Sequence, residues 1–144
     1  MKAGLAAYGR LATLRDQQVR QVQGRLGYQR QLCQRYRANI EALNRLCGFE
    51  ACLDTPVQRH NHQQYKATLH AMINLQVREL ALAEASLQRI GEQLRVAMRS
   101  ERVMRDALHG KWQQWQTLLA RQEQRLQDGL GAQVWWRNRL ANAD

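Results

Sequence analysis

A chain of 144 residues with a single proline fits one domain in which helices can run long. Its wealth of Gln and Arg with few β-branched residues argues against a sheet. A mean hydropathy of -0.64 at a hydrophobic share of 44% excludes a thick globular core and points to a narrow apolar seam. The net charge of +10 raises nucleic acid, an anionic membrane or an acidic protein surface as partner classes, and three Cys, an odd number, read as reduced thiols and not as a disulfide framework.

From the N-terminus, an alternating three/four spacing joins Leu5, Tyr8, Ala12, Arg15, Val19, Val22, Leu26, Gln29, Cys33, Tyr36, Ile40, Leu43 and Cys47. Only Arg15 and Gln29 interrupt the apolar stripe, and polar seam residues commonly fix register at some cost in stability. The spacing predicts helix 1 over about 3–47. A turn over about 48–55 follows, with Gly48 as a C-terminal glycine cap. Thr55 is placed to N-cap a second helix, with Pro56 at its first position and Gln58 able to close a capping box. So short a connection makes the two helices antiparallel neighbours.

Helix 2 is expected over about 56–128, with an extension to about 140 if Gly129 and Gly131 do not stop it. Its seam runs from Leu69 through Ile73, Gln76, Leu80, Ala83, Leu87, Ile90, Leu94, Ala97, Glu101, Met104, Leu108, Lys111, Trp115, Leu118 and Gln122. Beyond Leu118 the apolar face shifts to Leu119, Leu126, Leu130 and Val134, as at a stutter. The fold class is therefore all-α, an antiparallel coiled-coil hairpin with a longer, overhanging second helix. Folding about residue 51 would set Leu5 near Met98 and leave residues from roughly 100 to 140, with all four Trp, unpartnered.

Apolar runs such as Leu80 to Ala83 are too short for a membrane span, and no signal-peptide core precedes the first charges, so a cytoplasmic protein is expected. Cations crowd helix 1, but Arg10, Arg15, Arg20, Arg25, Arg30 and Arg35 recur every five residues, a step that scatters them around the helix at about 100° per residue. No basic stripe with interleaved aromatics results, which argues against specific nucleic-acid binding. Cys47, Cys52, His60 and His62 cluster about the turn at a spacing unlike a standard zinc finger, and Cys33 and Cys47 fall on the seam, where a thiol packs as a small hydrophobe; no metal or other cofactor is expected. His60 and His62 read as exposed first-turn residues. No P-loop, GxSxG or HExxH motif is present, and a hairpin lacks a concave pocket, so catalysis is not expected.

Trp112 and Trp115 share one helix face and suit a recognition surface or an oligomer seam. Three segments carry a family likeness: Leu11-Ala12-Thr13-Leu14-Arg15-Asp16, Gln63-Gln64-Tyr65-Lys66-Ala67-Thr68-Leu69, and Trp115-Gln116-Thr117-Leu118 with Arg121-Gln122. Together with the length and two-helix layout, they make the chain resemble the flagellar FliJ family, small helical-hairpin components of the flagellar type III export apparatus, and a lateral or secondary flagellar system would suit its Arg/Gln bias.

The resemblance implies a non-enzymatic central stalk in or beneath the hexameric export ATPase, in contact with the cytoplasmic part of the export gate and escorting export chaperones in support of flagellum assembly and motility. It implies peripheral association with the inner membrane through that apparatus. The family's gate-binding pattern falls on Tyr65, Leu69, Met72 and Gln76, where Gln76 replaces the usual His and Leu69 and Gln76 also belong to the seam. For the ATPase contact the overhang offers Trp112, Trp115, Arg121, Arg125, Trp135 and Arg137, cations for an acidic pore and Trp for desolvated area. The alternatives are a virulence-type secretion stalk of the same architecture, and a basic coiled coil that self-associates as a homodimer or accompanies nucleic acid.

Overall fold

The computed structural model describes residues 2–49 and 52–142; Glu50 and Ala51 of the expected turn lie outside the described residues. The chain is all-α: α1 spans Lys2–Cys47 and α2 spans Pro56–Ala141, with no strand among the described residues. The second helix, at 86 residues against 46, is much the longer.

The restart of the helix is built as the sequence requires. The Gln58 N–H donates to Thr55 Oγ1 at 3.2 Å while Gln58 Oε1 accepts from the Thr55 N–H at 3.1 Å and from the Asp54 N–H at 3.0 Å. This reciprocal box satisfies backbone donors that have no partner inside the helix. At the other end Gly48 donates to the Asn44 carbonyl at 3.0 Å and Phe49 to the Leu46 carbonyl at 3.3 Å. Gly48 does this with ordinary negative φ and so is not the left-handed glycine cap expected.

The chain divides into two compact units. In the first, Gln17–Met98, the two helices run antiparallel over a one-side-chain-thick seam. Val19 and Cys33 of α1 and Leu69, Ala83 and Ile90 of α2 are its buried residues, and the intervening seam positions are half-buried. Every helix 1 position read as seam is in fact shielded, including the polar Gln29. That side chain does not intrude uselessly: its Nε2 donates to the backbone carbonyl of Ala83 at 3.0 Å, answering the partial desolvation of a half-buried amide. Of the three thiols, Cys33 is buried, Cys47 is half-buried and Cys52 is exposed, and all three are free.

The register differs from the one expected. Gln29 reaches Ala83, Arg37 pairs with Glu84 at 2.7 Å, and Asn39 donates to Gln76 at 3.4 Å. Against a fold centred on residue 51, helix 2 is displaced by roughly three turns. The reason lies in the connection. The described residues 48–49 and 52–55 are non-helical, and a non-helical residue can rise about 3.3 Å against about 1.5 Å in a helix, which is how the second helix can start well past the end of the first. Consistent with this, residues 56–61 are exposed and Leu69 is the first buried residue of α2, while Leu53, His62 and Lys66 are half-buried. His62 is therefore not the exposed first-turn residue expected, whereas His60 is exposed.

The second unit joins residues up to Asp16 with α2 from Arg99 onward. Leu5, Tyr8 and Ala12 on one segment and Met104, Leu108 and Trp115 on the other are half-buried. Glu101, a polar seam position, is shielded and ion-paired with Arg105 one turn on. Residues 100–115 are thus not the bare stretch that the shorter register implied. From 116 to 142 every residue is exposed. The helix nevertheless continues through Gly129 and Gly131 with negative φ at both, because neither is followed by the polar turn residues or proline that would stop it.

Candidate functional site

The candidate surfaces are helix faces. Four- and three-residue steps place Tyr65, Leu69, Met72 and Gln76 along one side of α2. They do not share one environment. Tyr65 and Met72 are exposed, at 49% and 47%, but Leu69 is 4% exposed and packs in the seam, and Gln76 is half-buried and accepts from Asn39. On this side the phenol of Tyr65 and the thioether of Met72 are open to solvent, while Leu69 between them in sequence is sealed. Leu75, 57% exposed, adds apolar area that the family pattern did not include.

The later surface is richer. Trp112 and Trp115 lie with ring centroids 5.1 Å apart, tilted by 41°, with Trp115 half-buried and Trp112 exposed. Further on, Trp135 and Trp136 meet edge to face at 5.3 Å, and the Arg139 guanidinium sits 4.9 Å over the Trp135 ring. Trp136, counted with the other Trp of the overhang, and Arg139 were not among the residues that the sequence assigned to the ATPase contact. The signal was available, since Arg139 follows Trp135 by four residues and so lands on the same face. Between the Trp pairs, Arg121 and Arg125 are exposed alongside Leu118, Leu119, Leu126 and Leu130. Residues 116–142 hold four Arg against Glu123 and Asp128, so this helix presents apolar area with a cationic excess.

The residues around the turn, Cys47, Cys52, His60 and His62, do not converge, and among the described residues no group of three or more His, Cys, Asp or Glu is placed to hold a metal ion. No helix among them is long and apolar enough to cross a membrane.

These faces belong to a recognised kind of chain, because a protein-family model described as "Flagellar FliJ protein" matches residues 6–140. The chain belongs to the flagellar FliJ family. No curated protein and no solved structure matches it. Family membership makes this FliJ-family chain a component of the flagellar export apparatus. The match takes in both helices, the connection between them and nearly all of the exposed helix end.

Proposed function

We propose that this chain is the stalk of the export ATPase, gripping the ring with the last third of α2 and meeting the cytoplasmic part of the export gate through the Tyr65 and Met72 side of the same helix. The observation that carries this reading is the stretch 116–142, a helix exposed along its whole length that holds leucines, two tryptophans and four arginines. Burying aromatic rings and meeting carboxylates with guanidinium forks are the means by which such a surface gains affinity and orientation. The Trp112 and Trp115 pair, just before it, supplies the best-packed anchor of the set.

The chain then works by binding alone. Its helical faces also serve export chaperones, and its membrane association is indirect, through the gate. The first experiment is ATP turnover by the cognate export ATPase with and without this protein, read beside ring assembly by light scattering. Stimulation with hexamer formation is expected. The double change Trp115→Ala with Arg121→Glu should reduce apparent affinity at least about tenfold, or about 1.4 kcal/mol. Unaltered binding by that variant would remove α2's end from the contact, and no effect of the wild-type chain would sink the stalk reading.

A further inference from the structure

The two flanks of the hairpin unit are not alike. On one, the helices are bridged by Arg37 and Glu84 at 2.7 Å, and Arg45 pairs with Glu41 at 2.9 Å beside that bridge, so both signs are present and engaged. On the other, the helices part into a groove of about 740 Å³. Gly24, Arg25 and Tyr28 of α1 form one lip, and Ser86, Arg89 and Ile90 of α2 form the other and the floor. Gly24 leaves the space open, since a Cβ there would meet nothing within 4 Å.

No carboxylate lines this groove. Arg25 is in no ion pair among the described residues, and Arg89 only donates to the neutral Ser86 hydroxyl at 3.0 Å, which holds it along the lip. Glu92, one turn on from Arg89, is paired with Arg95 at 3.1 Å, and on α1 residues 17–40 contain five Arg and no Asp or Glu. Ile90 at 9% exposure gives an apolar floor, and the Tyr28 ring, 61% exposed, stands beside it.

We infer that this groove is a docking site for an acidic amphipathic helix of a partner protein, whose carboxylates meet Arg25 and Arg89 while an apolar side chain seats on Ile90 against Tyr28. Charge complementarity fixes the occupant's sign, and the apolar floor selects a protein helix over nucleic acid. A phosphate backbone would draw on many aligned cations, whereas only two face the groove. This assignment concerns a different face from the ATPase and gate surfaces and does not rest on them.

The test uses the full chain, 15N-labelled, with a synthetic helical peptide of about 18 residues, five turns, bearing Glu along one edge and Leu beside it. A second peptide with Gln for Glu serves as control. Amide shifts should concentrate at Gly24, Arg25, Tyr28, Ser86 and Arg89 and fade with the Gln peptide. Gly24→Trp fills the groove and should weaken binding at least about tenfold, while Gly27→Trp, equally uncrowded but off the groove, should change it by less than about twofold. Arg25→Glu with Arg89→Glu should reject the Glu peptide and accept a Lys version, a reversal that does not depend on how Gly24→Trp folds. Equal binding to Gly24→Trp and wild type overturns the inference, as do shifts confined to residues 116–142. Tighter, Gly24-dependent binding of a single-stranded oligonucleotide would overturn it in favour of nucleic acid.

Discussion

Leu69 and Leu126 lie on the same helix, yet one is 4% exposed and the other 68%. Around Leu69, in the hairpin unit, the seam side of α2 has α1 to pack against, and a stripe of modest residues such as Cys33, Ala83 and Ile90 becomes a core. Around Leu126 the residues are larger and more apolar, with Leu119, Leu130, Trp135 and Trp136, but they stay exposed among the described residues. Burial is thus decided by the presence of a partner helix and not by how apolar the residues are. The well-covered stretch closes on itself, and the bare one is, in the proposed reading, the surface that a partner covers.

Substitution at these two leucines is the strongest way to break the comparison. Leu69→Ala should cost about 2–4 kcal/mol, the usual loss for a buried leucine, and Leu126→Ala under about 0.5 kcal/mol, both read from urea unfolding by circular dichroism. Comparable losses would mean that residue 126 is covered in solution. The next effect is confined to the bare stretch. Gly129→Ala with Gly131→Ala should gain about 1–2 kcal/mol of helix stability there and slow amide exchange over 116–142, leaving 17–98 unchanged. Sharper still in what it isolates, Gln29→Leu should alter stability by less than about 1 kcal/mol while removing the tie to the Ala83 carbonyl. Spin-label distances across the hairpin should then show more than one register; a single unchanged distance would show that packing alone sets it. Last, Arg37→Ala should cost at most about 0.5 kcal/mol, because its ion pair with Glu84 is half open to water on both sides.

The helices, the seam and the capping box were legible because each is local: a three/four spacing is a property of one helix, and Thr55 and Gln58 are three residues apart. The register was not, because it depends on how far an irregular link travels, and a non-helical residue covers about twice the distance of a helical one. That one error set the expected start of the bare helix at about 100 instead of 116 and misplaced Trp112 and Trp115, which follow the half-buried Met104 and Leu108. The sealing of Leu69, by contrast, was legible, because the three/four spacing already put it in the seam and left Tyr65 and Met72 outside it. The groove at Gly24 was invisible, since it requires knowing which flank of α1 meets Ser86 and Arg89.

The three cysteines have a consequence for anyone watching this molecule move. Cys52 stands in water, Cys47 is half shielded and Cys33, 1% exposed, is walled in by the seam. A thiol-reactive dye therefore has three clocks: it marks Cys52 at the rate of a free thiol, Cys47 more slowly, and Cys33 only in the moments when the helices separate. The labelling time of Cys33 divided by that of Cys52 measures how rarely the hairpin opens, with no foreign reporter built into the chain.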